Sequence, residues 1–333
     1  MADDKGVLVY GECINDSLAA ITLELLGVGR KLADDLGEEL AAVLIGEKVG
    51  NMAEEAIRFG ADKVYVIESP LLKDYVTDSY VAAMEKLCQQ VKPNILLMGQ
   101  NAVGRDLGPR LAFRLDTGLT TDCLELKIDS DTKLMVQTKP VYGGNALAEI
   151  VCEQTKPQMA TVRPKCMEPL EKDDSRKGEV IAFDAGLDAS AIRVKWLEKV
   201  KEEVEGVKLE DAEVVVCGGR GMGGPEPFDQ LITLAKLLGG AVGATRPPCD
   251  SGWVPATTQV GLTGKLVTPT LYIGIALSGA SQHLAGCSGS KNMIAINKDP
   301  EANIFGVCQY GVVGDYKKIL PPFIDKVKEL LAG

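Results

Sequence analysis

Short apolar runs alternate with helical patterns along the first half of the chain. Residues 6–10, 39–45, 63–67 and 94–98 are rich in apolar side chains and have the length of buried strands. Residues 17–36 and 52–59 carry apolar residues at helical spacing, with Asp16 or Ser17 available as the N-cap of the first helix. This alternation predicts a mostly parallel sheet with crossover helices.

Three further strand-like runs, residues 133–140, 146–152 and 158–162, predict an antiparallel or mixed addition because no long helix separates them. Residues 166–190 are charged and contain proline, which is typical of a domain boundary. A second series follows, with strands predicted at 213–217, 271–277 and 292–296 and helices at 225–238, 281–285 and 320–331. The sequence thus predicts an α/β protein with two doubly wound, mostly parallel domains, 1–165 and 206–333, joined by a linker at 166–205.

Charge and apolar run length limit the possible partners. Lysine plus arginine number 36 against 47 aspartate plus glutamate, so the net charge of −11 repels phosphate backbones and disfavours nucleic acid. The longest apolar runs are far shorter than the roughly 20 residues of a membrane helix, so no membrane insertion is expected. No signal peptide is apparent either, and we expect a cytoplasmic protein.

Cysteine and histidine usage disfavours metal chemistry. The nine cysteines are scattered and include no Cys-x-x-Cys pair, which indicates free thiols rather than a zinc or iron–sulfur site. The single histidine, His283, cannot build a multi-histidine centre, and any nucleophilic triad would have to use it. We therefore predict no metal site, and we expect a cofactor to supply the chemistry.

A glycine-rich turn follows the predicted strand at 213–217. Gly219, Gly221 and Gly224 fit Gly-x-Gly-x-x-Gly, which leaves open either a nucleotide loop or an ordinary glycine turn. No acidic residue stands about 20 positions later, so a conventional NAD site is disfavoured. Arg220 within the turn favours an anion or a planar ring.

A second turn, from Ser278 to His283, also joins a strand to a helix, with Ser278 as a plausible N-cap. His283 lies either in a ligand site at the end of a strand or in the core, bonded to a backbone carbonyl. Residues 241–264 look like a long loop whose glycines suit close approach to a ligand. These segments could converge on one extended dinucleotide. Residues 104–110 favour an ion pair at a helix over a phosphate loop, and residues 172–177 favour solvated linker.

The ordered motifs resemble the α subunit of electron-transfer flavoproteins from end to end. They comprise Gly218-Gly219-Arg220-Gly221, Gly243-Ala244-Thr245-Arg246, Gln259-Val260-Gly261-Leu262-Thr263-Gly264-Lys265, Ser278-Gly279-Ala280-Ser281-Gln282-His283, Ala295-Ile296-Asn297-Lys298-Asp299, Gly104-Arg105-Asp106-Leu107-Gly108-Pro109 and Thr117-Gly118-Leu119-Thr120-Thr121-Asp122. The resemblance implies a nucleotide-α-hydrolase-like N-terminal domain that contacts a β subunit, and a Rossmann-like C-terminal domain that binds FAD.

The resemblance also implies roles for individual residues. Arg246 is similar to the arginine that lies against the isoalloxazine, Thr263 to the hydroxyl near flavin N5, and His283 to the imidazole near flavin O2. A cation and hydrogen-bond donors beside the ring favour its reduced, anionic forms. Further positions implied to hold the flavin and its ribityl-pyrophosphate arm are Arg220, Thr245, Gln259, Val260, Gly261, Leu262, Ser278, Gly279, Ala280, Ser281 and Gln282. Asn297, Asp315 and Tyr316 correspond to the adenosine end, with a backbone contribution alone as the alternative for Tyr316.

The implied function is that of an electron carrier between flavoproteins, with an acyl-CoA dehydrogenase as partner. Residues 138–145 and 162–164 resemble those of α subunits from anaerobic bacteria. That similarity implies a possible variant of this function, electron bifurcation. In this variant the β subunit holds a second FAD in place of AMP, and the complex oxidises NADH and reduces ferredoxin. Two alternatives come from other classes: an NAD-dependent oxidoreductase with His283 as general acid, and a nucleotide-binding interaction module.

Overall fold

The computed structural model describes residues 4–14, 16–144, 146–194, 196–198 and 207–332. The chain divides into two compact units. The first consists of Met1–Val141 and Leu147–Lys199, and the second of Tyr142–Ala146 and Val200–Gly333. Each unit contains a parallel sheet of its own, which confirms the predicted fold class.

In the N-terminal part of the chain, the described residues form twelve strands and four α-helices. The strands are β1 (Val7–Gly11), β2 (Cys13–Ile14), β3 (Ser17–Leu18), β4 (Leu40–Gly46), β5 (Lys63–Glu68), β6 (Ile95–Gly99), β7 (Leu119–Cys123), β8 (Glu125–Ile128), β9 (Met135–Val141), β10 (Ala146–Ile150), β11 (Gln158–Val162) and β12 (Glu179–Ala182). The helices are α1 (Ala20–Leu36), α2 (Ala53–Arg58), α3 (Thr77–Val91) and α4 (Ala102–Arg114). Seven strands form a parallel sheet in the order β12-β5-β4-β1-β6-β11-β7. Two of the three runs predicted as an addition, β9 and β10, form a three-stranded sheet, β10-β9-β8, in which β8 and β9 are antiparallel. The third run, 158–162, is β11 and belongs to the seven-stranded parallel sheet instead.

The side chains of β1 point alternately into two cores, one on each face of this sheet. Val7 and Val9 point to one face, where they pack in a cluster with Leu25 and Leu26 of α1. Leu8 and Tyr10 point to the other face, which is covered by α3 and α4. Helices on both faces explain why the strands read as continuous apolar runs.

The start of α1 differs from the prediction. Residues 17 and 18 form β3, and the N-cap is Ala19, which makes no side-chain cap bond, so neither Asp16 nor Ser17 caps the helix. The Ser17 hydroxyl donates to the Ile14 carbonyl at 3.0 Å instead. Serine can bond locally to nearby backbone in this way, which is why a possible cap residue does not fix a helix start.

The predicted linker contains regular structure. β12 pairs in parallel with β5, with Glu179 opposite Lys63, although three of its four residues are exposed. In the charged run 172–177, which was expected to be solvated, Arg176 lies 2.7 Å from Asp62. An exposed edge strand shows no buried apolar run, so the sequence pattern did not reveal it. Residues 195 and 199–205 of the predicted linker lie outside the described residues.

Residues 104–110 lie within α4 and not in a phosphate loop. Asn101 caps the helix by accepting from the Gly104 amide at 3.0 Å. Asp106 accepts from the Tyr75 hydroxyl at 2.8 Å and lies 3.6 Å from the Arg110 guanidinium. The expected helix with an internal ion pair is therefore present.

As far as the second unit is described, it has five strands in one parallel sheet. They are β13 (Val214–Gly218), β14 (Ala241–Ala244), β15 (Leu271–Ile275), β16 (Asn292–Asn297) and β17 (Tyr310–Val313), in the order β14-β13-β15-β16-β17. The helices are α5 (Phe228–Leu237), α6 (Arg246–Asp250), α7 (Ser281–Cys287) and α8 (Tyr316–Ala332). Leu284 of α7 packs in one core cluster, whereas Leu231 of α5 and Leu320 of α8 pack in another. This is the strand order of a five-stranded doubly wound sheet with helices on both faces.

The region 241–264 is not the continuous loop that was expected. It contains β14, α6 and a 3-10 turn at Ala256–Thr258. β14 has only four residues, two of them alanine and one glycine, so its apolar signal is weak. α6 has proline in its first turn, a position that helices tolerate but that a pattern search treats as a break. Among the described residues, no helix is both long and apolar enough to cross a bilayer.

Candidate functional site

The second sheet has a topological switch point between β13 and β15. These strands are neighbours, but the chain leaves β13 toward β14 on one side and leaves β15 toward β16 on the other. Ligands of open α/β sheets bind in the crevice at the carboxyl ends of such a pair. The two strand-to-helix turns singled out in the sequence lie at this point.

Two glycines bring these turns together through their backbones. The Gly219 amide donates to the Ile275 carbonyl at 2.9 Å, and the Gly221 amide donates to the Ala276 carbonyl at 3.1 Å. A Cβ atom on Gly219 would lie 2.3 Å from the Ala276 oxygen, which no side chain could tolerate. Loop-to-loop packing therefore requires glycine here. Gly223 has φ of 84° and nothing within 4 Å of its Cβ position, so this part of the turn stays open.

A cavity of about 170 Å³ lies at the carboxyl ends of the strands beside this turn. Gly221, Ala276, Ile296, Asn297, Lys298, Gly314, Asp315, Tyr316 and Lys317 line it. The Asn297 amide is held by donation to the Leu277 carbonyl at 2.7 Å, and the exposed Asp315 carboxylate accepts from the Lys317 amide at 3.0 Å. The cavity brings together three residues assigned to the adenosine end. The sequence reasoning overlooked Lys298 and Lys317, although both directly follow residues that it singled out.

The side chain of Tyr316 is bonded inside the protein. Its hydroxyl donates to the Met222 carbonyl at 2.7 Å, and the side chain is buried. Burial raises the pKa of Tyr316, with a smaller contribution from Asp315. A backbone contribution, which was the alternative given for this residue, stays a prediction.

Thr245 and Arg246 follow β14 directly. The Thr245 amide donates to the Gly218 carbonyl at 3.0 Å, which ties this turn to the end of β13. Arg246 is the first residue of α6, its side chain is 66% exposed, and its Nε donates to Asp250 at 3.1 Å. The residues that directly follow β14 are Thr245 and Arg246 and not the carboxylate that holds the ribose of NAD, and a cation in that position suits an anionic ligand.

The segment from Gln259 to Lys265 is held between β14 and α7. The Val260 amide donates to the Ala244 carbonyl at 2.9 Å, and the Leu262 amide donates to the Gln282 carbonyl at 2.7 Å. On the α7 side, a Cβ atom on Gly286 would lie 2.4 Å from Gly261. The exposed Thr263 hydroxyl accepts from the Gln259 amide group at 3.0 Å. This arrangement leaves the hydroxyl hydrogen of Thr263 available to donate.

His283 is buried, and both of its ring nitrogens have protein partners. Nδ1 lies 3.0 Å from the Val260 carbonyl, which can only accept, so Nδ1 carries the proton. Nε2 lies 2.6 Å from the Tyr272 hydroxyl and therefore accepts from it. Burial lowers the pKa of His283 to about 4, against a smaller raising effect of the Val260 carbonyl. The imidazole is thus neutral near pH 7, as in the core alternative, and is poorly suited to be a general acid.

The turn before α7 is fixed by backbone contacts. The N-cap is Ala280 and not Ser278, and no side chain caps the helix. The Ser278 carbonyl accepts from the Ile304 amide at 3.1 Å. Gly279 has φ of 77°, and its Cβ position lies 2.4 Å from the Ile304 nitrogen, which excludes other residues. Ser278, Ser281 and Gln282 remain exposed beside the switch point.

The carboxyl edge of this sheet therefore combines a glycine turn, cations, hydroxyl groups and an adjoining cavity. Arg220, Arg246, Lys298 and Lys317 supply positive charge, and Thr245, Thr263 and Ser278 supply hydroxyls. Cations and backbone amides suit a diphosphate, and an exposed guanidinium suits a planar ring. Fold and site define a doubly wound dinucleotide-binding domain.

Comparisons with known proteins give the family. The family model of the electron transfer flavoprotein domain matches residues 7–188, and that of the electron transfer flavoprotein FAD-binding domain matches residues 208–288. The chain is 48% identical to the electron transfer flavoprotein subunit alpha of Thermoanaerobacterium thermosaccharolyticum, over 99% of this chain and 100% of that one. The chain belongs to the electron transfer flavoproteins, as an α subunit with its FAD-binding domain in the C-terminal region.

Two further relatives carry more specific names. The first is the "Lactate dehydrogenase (NAD(+),ferredoxin) subunit LctC" of Acetobacterium woodii, 38% identical over 97% of this chain and 77% of that one. The second is the "Acryloyl-CoA reductase electron transfer subunit beta" of Anaerotignum propionicum, 38% identical over 98% of this chain and 96% of that one. Both are similar to this chain along nearly its whole length.

Proposed function

We propose that this α subunit holds FAD at the carboxyl edge of its five-stranded sheet and relays electrons one at a time between flavoprotein partners. The observation that carries the proposal is the switch point, where the turns after β13 and β15 meet, with the turn after β14 tied to the end of β13. FAD supplies the redox chemistry when it is bound, since a flavin exchanges electrons singly or in pairs. The protein's part is to bind, orient and tune it.

Arg246 and Thr263 are proposed to tune the flavin. The Arg246 guanidinium is mostly exposed and has the exposed Asp250 as its ion-pair partner, so it can turn to a ligand. A cation there favours the added negative charge of a reduced ring. Thr263 accepts from Gln259, which directs its hydroxyl hydrogen elsewhere and makes it a donor for a ring nitrogen.

His283 is proposed to act as a neutral group. The resemblance assigns it to the O2 side of the flavin, and both of its ring nitrogens are bonded to Val260 and Tyr272. Its contribution to tuning is therefore that of a fixed dipole and not of a positive charge. It also holds the Val260 carbonyl in place. Leu262 and Thr263 follow in the same segment, so this bond helps to position the segment that bears Thr263.

The remaining predicted residues are proposed to hold the rest of the dinucleotide. Arg220, the backbone of residues 260–263 and the turn at 278–282 would carry the ribityl-pyrophosphate arm, because cations and amides offset its charge. Asn297, Asp315 and the backbone of Tyr316 line the cavity that would take the adenosine end. The uses of Thr245 and Gln259 are indirect, since both residues fix the turns that bear Arg246 and Thr263.

The assembly proposed is a cytoplasmic heterodimer with a β subunit that delivers electrons to an acyl-CoA dehydrogenase. The relative named as an acryloyl-CoA reductase subunit supports an acyl-CoA-linked partner. The relative named for both NAD(+) and ferredoxin supports electron bifurcation, with NADH as donor, ferredoxin as one acceptor and a second FAD in place of AMP on the β subunit.

Coexpression of this chain with its β subunit tests the proposal. The purified complex is analysed by visible spectrum and by the amount of FAD released per heterodimer, before and after NADH. Two FAD per heterodimer, bleached by NADH, would support bifurcation, whereas one FAD without response to NADH would indicate a simple carrier. A colourless complex that cannot be reconstituted with FAD would overturn the proposal.

A further inference from the structure

Tyr272 is a buried tyrosine in contact with the flavin site proposed above. It is the second residue of β15, its side chain is fully buried, and it packs in one core cluster with Leu277 and Leu284. The other residues of β15 are leucine, isoleucine or glycine. A phenylalanine would fill the same space, and a buried hydroxyl costs stability unless it has a partner. The phenol oxygen is therefore the feature of this residue that calls for a partner.

That partner is the ring of His283. The Tyr272 hydroxyl lies 2.6 Å from Nε2, whereas the two ring centres are 6.1 Å apart and the ring planes are tilted by 54°. The contact is thus a hydrogen bond, and the rings do not stack. Because Nδ1 carries its proton toward the Val260 carbonyl, Nε2 of the neutral ring has only a lone pair, and the hydroxyl donates to it.

Two buried thiols, those of Cys217 in β13 and Cys287 in α7, also interact with the Tyr272 hydroxyl. Burial raises the pKa of both thiols, to about 12 for Cys287, and it raises the pKa of Tyr272 as well. All three groups are therefore protonated and uncharged near pH 7. Since sulfur is a weak acceptor, the imidazole nitrogen is the better partner for the phenol hydrogen.

The bond from Tyr272 reaches the ligand side of the site through His283. Nδ1 of this ring donates to the Val260 carbonyl at 3.0 Å, and Val260 begins the backbone segment that ends at Thr263. Two hydrogen bonds in series thus connect β15 with the segment that bears Thr263. Without the phenol hydroxyl, Nε2 would be a buried acceptor that has lost its donor, and the ring would no longer be held in this orientation.

We propose that Tyr272 is a positioning residue of the flavin site that acts through His283, an inference that rests on the proposed function. By donating to Nε2, Tyr272 holds the imidazole in one tautomer and one orientation, both with FAD bound and without it. The neutral ring then presents a fixed dipole to the flavin. Its bond to the Val260 carbonyl keeps the segment before Thr263 in place.

A double-mutant cycle on the complete α–β complex tests the effect on the cofactor. Tyr272→Phe keeps the ring and removes only the hydroxyl, so FAD should remain bound. The reduction potential should shift in the same direction as in His283→Ala, and by at least half as much. In the His283→Ala background, Tyr272→Phe should cause no further shift, because the group through which it acts is gone. A merely structural role would add the same shift in both backgrounds.

Tyr80→Phe is the matched control for the loss of a buried hydroxyl. Tyr80 is a buried tyrosine of the first unit, and its hydroxyl donates to the Leu72 carbonyl at 3.1 Å. The potential should be unchanged in this variant, since all proposed FAD contacts lie in the second unit. Circular dichroism verifies the fold of each variant.

Nitrogen NMR of labelled histidine observes the bond itself. The chain has one histidine, so the ring signals that disappear in the His283→Ala complex belong to His283. In the unaltered complex, with FAD and after its removal, Nδ1 should carry a proton and Nε2 should not. In Tyr272→Phe the Nε2 signal should move downfield, the direction expected when an unprotonated ring nitrogen loses a hydrogen-bond donor.

Three results contradict the inference. The first is an unchanged potential of bound FAD in Tyr272→Phe, and the second is an equal shift in the His283→Ala background. The third is a proton on Nε2 in the FAD-loaded complex, which is observable even if Tyr272→Phe does not fold. A complex that binds no FAD would instead contradict the proposed function, and its His283 signals would still show whether Tyr272 donates.

Discussion

At the scale of single residues, Arg246 and His283, both assigned to tuning the flavin, differ in how many of their hydrogen-bonding groups already have protein partners. Arg246 donates to the exposed Asp250 and is itself mostly exposed. His283 is buried, with Nδ1 and Nε2 both bonded inside the protein. A ligand can therefore recruit the guanidinium readily, whereas it meets the imidazole as a fixed neutral ring.

This difference predicts unequal effects on the flavin. Arg246→Ala should lower the reduction potential of bound FAD by about 60 mV, which is roughly 1.4 kcal/mol for one electron. The reason is the loss of a charge-assisted interaction with the reduced ring. FAD should remain largely bound, because the cavity and the glycine turn are unchanged. Stepwise reductive titration measures the potential.

Two variants serve as controls for that titration. Lys236→Ala removes a cation from the exposed last turn of α5 and should leave the potential unchanged. His283→Ala should shift it in the same direction as Arg246→Ala but by less, since the imidazole is neutral and its loss removes no charge. Equal potentials for Arg246→Ala and the unaltered protein would show that Arg246 does not tune the reduction potential of FAD.

The neutral state of His283 predicts a pH effect on stability. An unfolded histidine takes up a proton near pH 6.5, but buried His283 does so only near pH 4. The unfolded state therefore binds more protons between these values, and stability falls as the pH falls through that window. His283 should account for roughly 3 kcal/mol of the fall in the free energy of unfolding between pH 7.5 and 4, and His283→Gln should lack this contribution.

Urea unfolding at several pH values measures this share. The chain has two tryptophans, and Trp196→Phe leaves Trp253, in the second unit, as the probe. The quantity compared is the difference in unfolding free energy between the two proteins as a function of pH. Parallel curves for the two proteins would mean that folding does not lower the pKa of His283.

Sequence reasoning at this scale identified residues but not their protonation. The single histidine and its position after a strand were visible in the sequence. The tautomer depends on Tyr272 and Val260, which are 11 and 23 residues away from it. Such long-range partners leave no local pattern, and the role of Tyr272 was missed for that reason.

At the scale of elements, the site depends on how closely two turns approach. Gly219→Ala would place a methyl group 2.3 Å from the Ala276 oxygen and force apart the turns after β13 and β15. We expect a loss of stability of about 1–3 kcal/mol and a loss of FAD affinity of at least tenfold. Isothermal titration of the complex from which FAD has been removed measures the affinity.

Gly306→Ala is the matched control for this substitution. Gly306 lies in the same unit, but nothing lies within 4 Å of its Cβ position. Its FAD affinity should be unchanged. Similar affinities for Gly219→Ala and Gly306→Ala would mean that the contact between the turns does not shape the binding site.

Elements differed in how well the sequence predicted them. Strands β1, β4, β6 and β11 are almost wholly buried and β5 partly so, and the apolar residues of all five located them to within one residue. β14, α6 and β12 were missed because short, proline-bearing or exposed segments owe their structure to pairing and packing rather than to local sequence. The N-caps of α1 and α7 were wrong for the same reason.

At the scale of the whole molecule, all proposed FAD contacts lie in the second unit. Binding of FAD should therefore slow hydrogen exchange in residues 219–224, 245–246, 259–263 and 278–283, because ligands stabilise the structure they contact. Residues 7–188 should change little. Mass spectrometry of the complex with and without FAD measures this, and protection centred on residues 7–188 would contradict the assignment.

The division into two α/β domains was also predicted at this scale, because a charged segment without apolar period separates two strand–helix series. The identity of the cofactor came from ordered motifs along the whole chain, and the FAD-binding family match agrees with it. Charge and composition alone disfavoured nucleic acid and membrane insertion, but they identified no partner.

The position of β12 has a consequence for synthesis. This strand completes the edge of the seven-stranded sheet beside β5, yet it comes after all the other strands of that sheet in the chain. Parallel pairing between such distant segments is slow, since a long loop must close before the contacts form. During translation the sheet cannot be finished until β12 has left the ribosome. All five strands of the second sheet come after β12 in the chain, so the two sheets form one after the other.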